Sequence, residues 1–177
     1  MQADLEFDQL VLTVIEPVRR YLNRRTDHAT ADDIAAEVLV VLWRRLSSVP
    51  VGDEVPWAIG IARLQLNNSE RAERRRQRLV AKIVSTDAPT AMYTDADTAS
   101  DERAQEVRAA LGRLRRADAE ILRLHAWDEL SIPQIAVALG ISTNAVSIRL
   151  HRAKQKFIRQ MRNDPGVRGH VQAEGRN

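Results

Sequence analysis

The chain of 177 residues has no cysteine, which removes disulfide frameworks, thiol nucleophiles and cysteine-ligated zinc together and leaves nothing opposed to a reducing compartment. Aromatic residues are scarce at 4%, and glycine and proline number only 7 and 6. A hydrophobic fraction of 44% is therefore mostly aliphatic, the composition of helices packed through Leu, Val, Ile and Ala rather than of an all-β fold. A long apolar run is also missing. The opening MQADLEFDQLVLTVIEPVRR is acidic before its apolar stretch and polar within it, unlike a signal peptide or a spanning helix, so a soluble, cytoplasmic chain without membrane insertion is expected. No glycine-rich phosphate loop, metal-ligand cluster or nucleophile–base pairing stands out, so no cofactor, metal site or catalytic residue is expected. Charge of one sign does not dominate either, since 27 Lys and Arg face 24 Asp and Glu. A net charge of +3 does not by itself identify a nucleic-acid binder, and the distribution of charge has to decide.

Helical periodicity fills most of what is present. Leu10, Val11, Val14, Ile15, Val18 and Leu22 recur at three- and four-residue steps and predict an opening helix, with Pro17 expected to kink it. Thr30 and Asp33 form a T-x-x-D capping pattern ahead of Ile34, Val38, Val41, Leu42 and Leu46, a second helix that ends at Ser47 to Pro50. After the turn-rich PVGDEVP segment, Trp57, Ile59, Ile61, Ala62, Leu64 and Leu66 open a third helix that turns strongly basic. Residues 1–81 thus form one three-helix domain. From Lys82 to Glu102 no stripe persists, and 82–102 is expected to be a flexible linker. Periodicity resumes with Val107, Leu111 and Leu114, then Ile121, Leu122, Leu124 and Trp127, giving a second helical domain over 103–162 and a flexible tail at 163–177. The fold class expected is all-α, two small helical domains joined by a linker.

The densest motif is LSIPQIAVALGISTNAVSIRLHRAKQKF. Ser131 and Gln134 make an S-x-x-Q capping box, and Pro133 falls in the first turn, where a missing N–H costs nothing. Ile135, Ala136 and Leu139 point inward, Gly140 suits a left-handed turn, Ile141 plugs the corner and Ser142 caps the next helix. On that helix Val146, Leu150, Ala153 and Phe157 form the buried stripe. The outward set is Asn144, Ser147, Ile148, Arg149, His151, Arg152 and Lys154, which mixes base readers with phosphate-binding cations as a helix in the DNA major groove requires. A solvated αα-hairpin would share the periodicity but has no need of the turn glycine, the small inward alanine and the basic exit together. Ile148 stays open between a scattered surface hydrophobe and a contact to a thymine methyl.

Two stretches of the N-terminal half narrow the choice. HATADDIAAEVLVVLWRRL resembles the polymerase-binding helix of sigma region two, and PWAIGIARLQLNNSERAERRR resembles the promoter-melting segment that follows it. LGRLRRADAEILRLHAWDELSIPQIAVALGISTNAVSIRLHRAK resembles sigma region four. Both halves occur in the family's order with one short linker, the architecture of the extracytoplasmic-function sigma factors of bacterial RNA polymerase. An ordinary helix-turn-helix regulator with a sensing or dimerising N-terminal domain is the main rival, and a DNA-processing enzyme a weaker one.

The resemblance implies partners and site residues. Core RNA polymerase would dock on the second helix through Asp32, Asp33 and Glu37, although Asp32 and Asp33 also suit the first turn of a helix as capping charges. The family usually has Gln where this chain has Ala36. Promoter DNA around the minus-ten element would meet Arg63, Asn67, Asn68, Arg71, Arg74 and Arg75, within a third helix that also carries Arg76, Arg78 and Lys82 against only Glu70 and Glu73. Asn67, Asn68 and the loop Val49 to Val55 would handle unpaired bases, with Leu64 departing from the Asn common there. Trp43 and Trp57 read as core at their helical spacing. The acidic linker, with Asp87, Asp95, Asp97, Asp101 and Glu102, would thread a polymerase channel or serve only as a spacer. An anti-sigma factor is a further expected partner.

Overall fold

The computed structural model describes residues 2–84 and 102–162. Among them the secondary structure is all helical: α1 Gln2–Asn23, α2 His28–Arg44, a 3-10 turn Leu46–Ser48, α3 Glu54–Val84, α4 Glu102–Gly112, α5 Arg116–Ala126, α6 Ile132–Leu139 and α7 Thr143–Arg162. They belong to two compact units, the first containing α1–α3 and the second containing α4, α5, α7 and the start of α6. The expected tail 163–177 and most of the expected linker, 85–101, lie outside the described residues. At its edges the linker reading shifts, because Lys82 to Val84 continue α3 and Glu102 already opens α4. Between Gly60 and Pro89 the chain has neither Gly nor Pro, so nothing stops the helix at residue 81.

In the first unit α1 contributes Leu10, Val14, Val18, Tyr21 and Leu22 to the core, α2 contributes Ala31, Ile34, Ala35, Val38 and Leu42, and α3 contributes Ala58, Ile59, Ala62 and Leu66. Each large aliphatic side chain removed from water here is worth about 1.5–3 kcal/mol before entropy is subtracted. Helix α1 runs through Pro17 as one element of 22 residues. At its end Arg25 is buried, its guanidinium 3.8 Å over the Tyr21 ring and its Nη1 donating to the Tyr21 carbonyl at 2.9 Å.

The start of α2 corrects the T-x-x-D expectation. The cap is Asp27, whose carboxylate accepts from the Thr30 backbone N–H at 3.0 Å and from the Thr30 hydroxyl at 2.7 Å. Those two bonds favour the charged form and hold the Asp27 carboxyl below its ordinary value. The helix therefore begins five residues before Asp33, so Asp32 and Asp33 sit past its first turn, which holds no acidic residue.

In the second unit Ala110, Leu111, Ala119, Ile121, Leu122, Leu124, Val146, Leu150 and Ala153 are buried. Lys156 of α7 donates to Asp118 of α5 at 2.5 Å and ties those two helices together. Phe157 is only half-buried, short of the full burial its spacing predicted.

Candidate nucleic-acid interface

Residues 131–142 set the entry angle of α7. The Ser131 N–H donates to Gln134 Oε1 at 2.9 Å and the Gln134 N–H returns to Ser131 Oγ at 3.4 Å, closing the capping box. Leu139 ends α6, Gly140 takes φ +65, and the Ile141 N–H donates to the Ala136 carbonyl at 3.1 Å. Ser142 Oγ then accepts from the Ala145 N–H at 3.2 Å and caps α7. Upstream, Glu129 holds φ 56, a left-handed conformation unusual for a residue with a side chain, while Leu130 N–H donates to the Leu124 carbonyl at 3.0 Å. This is a helix-turn-helix, built by local hydrogen bonds at each corner.

All seven outward residues expected on α7, Asn144, Ser147, Ile148, Arg149, His151, Arg152 and Lys154, are exposed, and Gln155 joins them. Gln155 was legible four residues after His151 on the same face but was missed. The Ser147 hydroxyl donates to the Thr143 carbonyl at 3.0 Å, which leaves its oxygen free to accept.

The basic part of α3 separates into two rows. Leu64, Asn68, Arg71, Arg75 and Arg78 alternate at steps of four and three residues and are all exposed. Arg71, Arg75 and Arg78 have no carboxylate partner among the described residues. The adjoining row is Arg63, Asn67, Glu70 and Arg74. Arg63 and Asn67 are half-buried there, and Arg74 faces Glu70 at 3.7 Å. Arg76 pairs with Glu73 at 2.8 Å. The positive field that remains for phosphates is thus concentrated on the first row. Ahead of α3, the Asp53 N–H donates to the Pro50 carbonyl at 3.2 Å and Gly52 has φ +86, a tight turn that holds Val51 97% exposed at its tip.

On α2 the three expected acidic residues diverge. Asp32 accepts from Arg19 of α1 at 2.8 Å and lies 3.6 Å from His28, so it is engaged inside the unit. Asp33 and Glu37 are exposed. Val40 and Trp43 continue their face, at 49% and 47% exposure. Trp43 is therefore not core. It stands edge-on to Phe7 of α1, with centroids 5.0 Å apart and planes at 79°. Trp57 is half-buried. Among the described residues no group of three His, Asp or Glu side chains could hold a metal ion, and no helix is long and apolar enough to cross a membrane.

A helix-turn-helix with a polar, cationic outward face defines a DNA-binding unit. The sequence comparison agrees: residues 104–157 match the family model of Sigma-70, region 4. No curated protein matches the chain significantly. Among solved structures, the sigma factor RpoE in complex with the anti-sigma factor NepR from Bartonella quintana is similar at 22% identity and TM-score 0.60, covering 89% of this chain and 98% of that one. CnrH in complex with the cytosolic domain of CnrY is similar at 21% identity and TM-score 0.57, covering 89% and 88%. The likeness extends over both units and is one of fold: the chain has the all-α, two-unit fold of these proteins.

Proposed function

We propose that the chain is a sigma factor of the extracytoplasmic-function type, which brings core RNA polymerase to a class of promoters and starts transcription from them. The observation that carries this reading is the sigma-70 region 4 helix-turn-helix, with α7 exposed along its whole reading face, in a chain that shares its fold over both units with a solved sigma factor. The exposed α3 row supports contact with promoter DNA near the minus-ten element, and Val51 is offered to an unpaired base. The exposed face of α2, Asp33, Glu37, Val40 and Trp43, supports docking on polymerase, because acidic groups beside a tryptophan combine steering with a desolvated anchor. Such a subunit works in the cytoplasm and needs no catalytic group of its own. An anti-sigma factor is the expected negative regulator, since RpoE was solved bound to one. Run-off transcription with purified core polymerase on genomic fragments tests the proposal. Discrete transcripts that require the chain support it, and none above core alone refutes it.

A further inference from the structure

At about 3.6 residues per turn, Asn144, Ile148, His151 and Gln155 lie opposite the buried stripe Val146, Leu150 and Ala153, while Arg149 and Lys154 lie nearer its edges. A helix in the major groove turns the centre of its outward face to the base edges and its flanks to the phosphate backbone. Ile148 occupies that centre and is 45% exposed. Scattered exposed hydrophobes are ordinary on protein surfaces, but every other exposed side chain from Asn144 to Gln155 is polar or charged. A β-branched hydrocarbon there can neither pair with phosphate nor hydrogen-bond a base. The major groove holds one apolar group on a base edge, the C5-methyl of thymine.

We propose that Ile148 packs on a thymine methyl and makes thymine the preferred base at one position of the DNA site, between positions set by Asn144 and His151. The inference rests on α7 entering the major groove and on nothing about polymerase. Burying one methyl group is worth ~0.8 kcal/mol, about a fourfold change in affinity.

The test uses the full chain, with and without core polymerase, on two random-sequence duplex pools, one made with thymidine and one with deoxyuridine in its place, so that only the methyl differs. The wild-type chain should select a site with one thymine whose preference disappears in the uracil pool and whose replacement by uracil costs about fourfold in affinity. Ile148→Ala should lose preference at that same position in the thymine pool and be indifferent to uracil, while Ile148→Val should keep it. A thymine preference that survives in the uracil pool or in Ile148→Ala overturns the inference. Methyl-dependent selection that core polymerase neither strengthens nor changes upholds it while refuting the sigma reading. Core-dependent selection without methyl dependence does the reverse, and no selection by either form overturns both.

Discussion

The Asp27 carboxylate accepts from the Thr30 amide and hydroxyl, and both bonds are stronger to its charged form. Its pKa lies below the ordinary 3.8, so it contributes stability that is fully present above that value and is lost as pH falls through the lower, folded-state value. Asp27→Ala should destabilise the protein by about 1 kcal/mol at neutral pH, whereas Asp27→Asn should keep most of the cap and remove this acid-dependent component. Urea denaturation of the three proteins at neutral and acid pH measures both effects. The acidic residues of α2 separate in the same way. Asp32 is held by Arg19, and its change to Asn should cost at most about 1 kcal/mol of stability with little effect on polymerase affinity. Glu37 is exposed and has no such partner among the described residues, and Glu37→Lys should lower affinity for core polymerase about tenfold, the range of a reversed interface charge, with unchanged far-ultraviolet circular dichroism. Equal affinity of Glu37→Lys and wild type in a competition assay would remove α2 from the docking surface.

At the scale of elements, the helix-turn-helix was legible because each of its corners is decided by neighbours in sequence: the Ser131–Gln134 box, Gly140 and the Ser142 cap all form as their residue types require. The start of α2 was less legible. D-x-x-T at 27–30 and T-x-x-D at 30–33 are equally good local caps, and only the earlier start brings Ala31 into the buried row with Ile34, Ala35, Val38 and Leu42. Trp43 was misread for a related reason. The four-residue steps Ile34, Val38 and Leu42 assign the core position to Leu42, so its neighbour is rotated by about 100° onto the exposed face, whatever its hydrophobicity. The roles of Asp32, Arg63 and Asn67 were hidden because their surroundings come from the folded unit and not from spacing. Two left-handed residues give this scale its prediction. Nothing lies within 4 Å of a Cβ built at Gly140, so Gly140→Ala should cost only backbone strain, about 1–2 kcal/mol. Glu129 bears strain of that kind already, and Glu129→Gly should raise the melting temperature where Gly140→Ala lowers it. Shifts of the same sign in thermal melts would show that the geometry of these turns is not what limits stability.

For the whole molecule the question is how the two proposed DNA-binding surfaces, on separate compact units, act together. The α7 face and the α3 row each present only a few cations, so each alone should hold duplex DNA weakly and with steep dependence on salt. The units are joined through residues 85–101, a stretch whose composition reads as a spacer, and a spacer does not by itself fix the distance between two promoter elements. Core polymerase bound to α2 would supply that distance. Once one surface is engaged, the second contact becomes intramolecular, and the effective concentration can raise affinity by about 10²–10⁴ without any new contact. The free chain should therefore bind promoter duplex weakly, and addition of core polymerase should tighten binding by at least about a hundredfold, the lower end of that range. Opening of the duplex should appear only in the ternary complex, because unstacking costs a few kcal/mol that an isolated α3 row cannot offset. Fluorescence anisotropy with and without core polymerase measures the first expectation, and permanganate reactivity of thymines near the start site measures the second. If the free chain binds one promoter tightly and core polymerase neither tightens binding nor makes any thymine reactive, the two surfaces work without a scaffold and the chain is a stand-alone DNA-binding regulator.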